Sequence, residues 1–378
     1  MALVDMREMV RHAYDHHYAV PAFEVECLDL LAGVVIAAEQ WQSPFIVTIP
    51  AAAVATVDQE LLLPAVEAAA RKSAVPVAIE YRSGGTVAET ITAINRGCNG
   101  IAVSVGSPLA QEGRALLTEM VKMATGCGIA IEATIPSDNL DSDTLQQLIT
   151  TTGVGRLAVA ISGASRDGDE LAQWRRVEEG LQRLQRSLDL PWGLSCPVAP
   201  ESAQLQQLIT SGVAKVGECG ALAAVVTALV RDHLHSLDGE NLPDRARIRE
   251  AVASEAESWM RLTQAAGKAP ALLQTVTPWL PVEHLIIFNV EGLDEAGVTA
   301  MLHRGREVLS QIAGVREVVT GEAIKEGAAY RYTWLVQFCH PAVIASYRDH
   351  PQHVAFADDY FRPVAGERIS IDYLWSRA

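Results

Sequence analysis

No stretch of this 378-residue chain is apolar over the roughly 18 residues a helix needs to cross a bilayer, so the sequence implies no membrane span. The opening residues, MALVDMREMVRHAYDHHYAVPAF, carry Asp, Glu and His among the apolar positions and lack the apolar core of a signal peptide. Cysteine is sparse: six are scattered along the chain and none forms C-x-x-C, which disfavours a zinc ribbon or a dithiol redox motif. A reducing, cytoplasmic location with buried thiols is expected. Basic residues are outnumbered, 30 Lys and Arg against 46 Asp and Glu, for a formal charge of −16. The absence of a long basic stripe argues against nucleic acid or anionic lipid as the main partner, and a small-molecule ligand is expected instead. No G-x-G-x-x-G follows a strand-like run, which argues against a dinucleotide-binding doubly wound sheet.

Apolar residues make up 49% of the chain, enough for a sizeable core, and the length suits about two domains. Over the first two thirds, strand-like runs alternate with helical patterns. Strands are predicted at 19–25, 44–50, 75–81, 100–105, 128–135, 156–163, 191–196 and 213–219, with helices at 27–41, 107–125 and 202–212 among them. Eight strand–helix units over about 220 residues predict a (β/α)8 TIM barrel, an α/β fold, across residues 1–270. A charged helix at 245–269 leads into PALLQTVTPWLP, whose three prolines mark a linker over 271–281. Residues 282–378 then read β-α-β-β-α-β, a ferredoxin-like α+β order, with a helical stretch at 340–350 and a last strand at 367–375. A small four-stranded sheet leaves one face open, so a homo-oligomer of at least two copies is expected.

One strand poses a sharper question. VPVAIEYRSGG, residues 75–85, is a buried run that stops in charge, and the carboxyl ends of barrel strands are where such folds keep their chemistry. With YAVPAF (18–23), IEATIP (131–136), LAVAISGAS (157–165), GLSCPVAP (193–200), GVAKVGECGAL (212–222) and AAGKA (265–269), this stretch resembles the class II, zinc-dependent ketose-bisphosphate aldolases. The resemblance spans residues 1–270 and implies the barrel fold. It does not carry the chemistry with it. Where that family has a catalytic Asp followed by a zinc-binding His, this chain has Arg82-Ser83. The other two histidine ligands are matched by Ser165 and Ser195, the fourth-strand acid by Val105 and the second fifth-strand Glu by Thr134. The phosphate loop is replaced by CPVA (196–199) and the eighth-strand substrate motif by GECG (217–220). Serine hydroxyls are poor zinc ligands and Arg82 adds a positive charge, so no metal and no cofactor are expected.

Several polar residues should still face the barrel interior. Glu80 and Arg82 share a strand face, Glu132 matches the first fifth-strand Glu, Lys215 lies two residues before the substrate motif, and Glu24 stands where the family tends to have Asn. Two readings stay open. One is a rebuilt metal-free site in which Arg82 clamps an anion, Glu132 or Lys215 handles protons or forms a Schiff base, and Glu24, Glu80, Ser83, Ser165 and Ser195 line the ligand. The other is that these charges pair with one another inside the barrel. Cys196 and Cys219, near strand ends, are candidate nucleophiles without a histidine placed to activate them.

The C-terminal segment resembles the stress-responsive dimeric α/β-barrel (Dabb) family through EHLIIFNV, IAGV (312–315) and SYRDHPQHV (346–354). Polyketide-cyclase relatives use the Tyr and last His of that motif, with a first-strand His, for acid/base work. By position these are Tyr347, His353 and His284. The motif can equally serve to close a loop. The functional expectation is a degenerate aldolase homologue with altered function. It is either a metal-independent carbon–carbon lyase or isomerase on a small carbonyl compound, or a non-catalytic protein that binds a metabolite or scaffolds an oligomer.

Overall fold

A computed structural model describes residues 2–51, 59–104, 111–138, 140–161, 170–196, 199–219, 222–235 and 244–374. Two compact units result, one of residues 1–87, 98–121 and 130–278, the other of residues 88–97, 122–129 and 279–378.

The first unit is a closed barrel of eight parallel strands: β1 (Val20–Glu24), β2 (Phe45–Pro50), β3 (Val77–Ser83), β4 (Gly100–Ser104), β5 (Ala130–Pro136), β6 (Leu157–Ala160), β7 (Trp192–Ser195) and β8 (Val213–Gly217). Each pairs with its sequence neighbour, and β8 closes on β1 through Val20 opposite Lys215. The helices in chain order are α1 (Met6–Asp15), α2 (Leu28–Gln40), α3 (Gln59–Lys72), α4 (Val87–Asn95), α5 (Gln111–Gly126), α6 (Ser142–Thr152), α7 (Glu170–Gln185), α8 (Ser202–Thr210), α9 (Leu222–His235), α10 (Arg245–Leu262) and α11 (Ala269–Leu273). Strand β2, FIVTIP, is buried at every position, as a parallel strand covered on both faces must be.

Helix α1 starts at Asp5, whose carboxylate accepts the Arg7 backbone N–H at 2.7 Å. Its residues Met6, Met9 and Val10 join Val20, Ala22, Ile46, Ala78 and Ala130 in one apolar cluster that fills the amino-terminal end of the barrel. Gly100 is part of this floor: a Cβ there would fall 2.0 Å from Met6 Sδ. The charged interior side chains stand above this floor, from the middle of the barrel to the carboxyl ends of its strands.

Two strand ends differ from expectation in an instructive way. Strand β3 extends through Arg82 and Ser83, because Arg82 pairs with Pro50 and Ala102 and Ser83 with Val103. Arg82 therefore sits on the rigid sheet. Strand β8 stops earlier than expected, at Gly217, because Glu218 takes a left-handed conformation with φ 59°. Residues 269–273 of the proline-bearing stretch are helical, and Leu272 belongs to the barrel's apolar cluster.

In the second unit, β9 (Val282–Val290), β10 (Val315–Glu322), β11 (Tyr332–Phe338) and β12 (Ala365–Leu374) form an antiparallel sheet in the order β10-β11-β9-β12. Helix α12 (Glu295–Leu309) follows β9. The stretch expected as one helix at 340–350 is α13 (Val343–Arg348) and then α14 (Pro351–Phe356), continued by a π-helical turn at Ala357–Phe361. Pro351 causes the break: it forces His350 to an extended ψ of 131° and opens the second helix at its first position. Alternation places Val282, His284, Ile286, Phe288, Tyr332, Trp334, Val336 and Phe338 on the helix-covered face. On the other face Val319, Ile369, Ile371 and Tyr373 are exposed by 41–43%.

Candidate functional site

Inside the barrel the charges form two groups. The deeper one is a buried quartet. Lys215 Nζ donates to Glu80 Oε1 at 2.5 Å and to Glu132 Oε1 at 2.7 Å, and Arg156 donates to Glu132 Oε2 at 2.7 Å. Thr48 Oγ1 reaches the other Glu80 oxygen at 3.4 Å. All four charged residues are buried, with two cations against two carboxylates. Burial alone would raise the Glu132 carboxyl, but Lys215 and Arg156 outweigh it and hold it below the usual carboxylate range. Small residues make the room: a Cβ on Gly193 would lie 2.7 Å from both Glu132 Oε2 and the Ala158 Cβ.

Nearer the strand ends lies the second group. Arg82, its side chain about one third exposed, forms salt bridges with Glu24 of β1 and Glu218 after β8. One guanidinium thus meets two carboxylates, a local charge of −1. Burial pushes the Glu24 carboxyl up, helped by Glu218 and Glu26, and the pull of Arg82 does not cancel this. The left-handed backbone of Glu218 turns the chain at the strand end that supplies this carboxylate, a strained conformation of the kind that concentrates at functional sites.

The remaining expectations divide. Ser83 is buried, and its hydroxyl accepts the Gly85 N–H at 3.0 Å. Ser195 ends β7, in register with Ala160 and Gly217. Ser165 and Val105 lie outside the described residues. Burial pushes the Cys196 thiol up to about 12 and Cys219 well above its ordinary value, so neither supplies a thiolate near neutral pH.

The second unit holds a cavity of about 350 Å³, and Tyr347, His353 and His284 all line it. The Tyr347 ring lies 4.3 Å from His353 and 6.2 Å from His284, centroid to centroid. His284 Nδ1 is 2.7 Å from Asp372 Oδ1 on the neighbouring strand. An ionised carboxylate only accepts, so Nδ1 carries the proton and Nε2 is left as the basic nitrogen. His353 Nδ1 donates to the Arg348 carbonyl at 3.0 Å, which leaves its Nε2 basic as well. Burial holds His353 below the usual imidazole value and pushes the Tyr347 phenol up.

Sequence reasoning missed four residues of these sites: Arg156, Glu218, Asp372 and Arg368. Asp372 and Arg368 were legible in principle, since RISID alternates and puts Arg368, Ser370 and Asp372 on one strand face. Arg156 and Glu218 fall within the strands expected at 156–163 and 213–219, but the observed strands begin at Leu157 and end at Gly217, so alternation does not place either side chain.

The closed parallel barrel with polar side chains at its carboxyl end defines a TIM-barrel protein with an appended ferredoxin-like unit. Residues 4–268 match the family described as fructose-bisphosphate aldolase class II, and residues 282–374 match the stress responsive A/B barrel domain. This chain belongs to the class II fructose-bisphosphate aldolase family and carries a C-terminal Dabb domain. Among its relatives is the protein YdjI of Escherichia coli K12, 25% identical over 71% of this chain and 99% of the relative. The crystal structure of the YdjI aldolase from Escherichia coli K12 superposes with a TM-score of 0.61 at 24% identity, over 71% of this chain and 99% of that one, a likeness of fold. A fructose-bisphosphate aldolase of Geobacillus stearothermophilus is 23% identical over 71% of this chain and 99% of its own length.

Proposed function

We propose that this family member has an altered function: aldol-type proton transfer on a small carbonyl compound, carried by side chains in place of the family's zinc. The observation that carries this reading is the Glu24–Arg82–Glu218 group at the carboxyl end of the barrel. A carboxyl that burial pushes above its ordinary value takes up a proton more readily than a solvated one, and a guanidinium beside it can steady an enolate as charge develops. The residues of this rim do not fit a zinc ion. Arg82 brings positive charge to the end of β3, the Ser83 hydroxyl is engaged by Gly85, and the described residues contain no group of three or more His, Cys, Asp or Glu able to hold a metal. In this reading Arg82 clamps the anionic end of the ligand, and Glu132 and Lys215, each buried and held by its ion-pair partners, shape the field beneath the rim in place of the proton-transfer or Schiff-base role expected of them. Glu24 and Ser195 would line the ligand, Glu80 and Ser83 are buried beneath it, and Ser165 lies outside the described residues. The cavity of Tyr347, His353 and His284 offers a second place for the same acid/base chemistry.

A different observation favours a second reading. Arg82, Lys215 and Arg156 are each already paired with carboxylates, which suits a protein that binds a metabolite or builds an assembly without turnover. The exposed apolar stripe of Val319, Ile369, Ile371 and Tyr373 supports a homodimer through that sheet face. Six free cysteines, five of them buried, support a reducing cytoplasmic setting, and no helix among the described residues is long and apolar enough to cross a membrane.

Exchange of α-protons for deuterium in a panel of keto acids and sugar phosphates, followed by NMR with the full chain, separates the two readings. Catalysed exchange that falls at least about 100-fold in Glu24→Gln supports the enzyme, since a positioned acid/base contributes that much or more. Exchange that no panel member undergoes, with thermal stabilisation by one of them, supports the binding protein.

A further inference from the structure

The cavity of the second unit is lined unevenly. Ile286, Phe338, Ile344, Ala357 and Phe361 supply an apolar wall. The charged lining consists of Arg348, Arg362, Arg368 and one acid, Asp372. That acid is engaged by His284 at 2.7 Å. Arg348 is paired with Asp349 at 3.0 Å, and Arg362 is paired with Asp358. Arg368 is different: it has no carboxylate or hydrogen-bond partner among the described residues. It shares its strand face with Ser370 and Asp372, pointing the same way as the group that orients His284. A guanidinium without a carboxylate, at the wall of a cavity that also offers basic imidazole nitrogens and aromatic surface, calls for an anion with an apolar body.

We infer that this cavity binds a small carboxylic acid with an apolar or aromatic body, its carboxylate on Arg368 and its adjacent carbon facing His284, which Asp372 orients. The inference gives a ligand class to the second acid/base site proposed above and rests on that reading only for the role of His284. Binding itself stands on the cavity and on Arg368. A volume of about 350 Å³ admits a molecule of some ten to fifteen heavy atoms and is at the small end of ligand pockets.

Phenylpyruvate and phenylacetone are suitable probes, because the second is the first without its carboxylate. Calorimetric titration of the full-length protein is expected to show phenylpyruvate binding about once per chain, and phenylacetone at least about 10-fold more weakly, the range for losing a charge-assisted hydrogen bond. Arg368→Met should weaken phenylpyruvate by a similar factor while leaving phenylacetone unchanged, and Arg368→Lys should recover part of the loss. Asp372→Asn should leave phenylpyruvate affinity within a few fold but move the 15N signals of His284 toward the other tautomer. Equal binding of the two probes by the wild type overturns the inference, and this comparison needs no variant to fold. Absence of phenylpyruvate binding at millimolar concentration overturns it too, as does a loss of affinity in Arg82→Met instead of Arg368→Met. None of these outcomes depends on the Glu24 exchange experiment, so the two proposals fail separately.

Discussion

At the residue scale the barrel's most consequential pair is Glu132 and Lys215. With Glu80 and Arg156 they form a neutral buried quartet, and deleting one partner leaves an uncompensated charge. Glu132→Gln is expected to destabilise the fold by about 3–5 kcal/mol at pH 7, measured by urea unfolding. The effect has a pH signature. Because the folded state holds this carboxyl below its usual value, the stabilisation is fully present above the unfolded value of about 4.3 and is lost as pH falls through the lower folded value. Wild type should therefore lose stability through that acid window, and the variant should lack this part of the slope. The sequence placed Glu80, Arg82, Glu132 and Lys215 on inward strand faces, since the period of two is legible. What it could not reveal was how they pair. Lys215 meets carboxylates 135 and 83 residues away, a matter of barrel closure.

At the scale of elements, strand β7 shows how close packing limits chemistry. Gly193 stands between Ala158 and the Glu132 carboxylate, and neither the neighbouring Cβ nor a doubly held carboxylate yields easily. Gly193→Ala is expected to cost about 1–3 kcal/mol, with a lowered midpoint in thermal unfolding, whereas alanine at a solvent-exposed helical site would cost little. The eight strands were legible because each is a short apolar run closed by turn residues. Their ends were less so: β3 is lengthened by pairing on both sides, and β8 is cut by the left-handed Glu218. The break between α13 and α14 was written in the chain as His350-Pro351, yet the helical composition on both sides hid it.

At the scale of the molecule, the two units repeat one theme, a sheet with polar chemistry on a protected face. The second unit also bears an unprotected apolar face. If two copies meet there, Ile369→Lys with Ile371→Lys should shift the species seen by analytical ultracentrifugation toward monomer, because a charge on each strand residue penalises burial. A wild-type monomer at tens of micromolar would refute that interface. The family and the double fold were legible from motifs distributed over the chain, whereas the ligand was not, because it depends on which cations the folded chain leaves unpaired. The central claim is that the β3 rim carries side-chain chemistry in place of zinc. Elemental analysis of protein purified without chelator tests it most directly. The account predicts far less than one zinc per chain, unchanged after dialysis against zinc. One tightly held zinc per chain, lost when Glu24 or Glu218 is replaced by Gln, would contradict it.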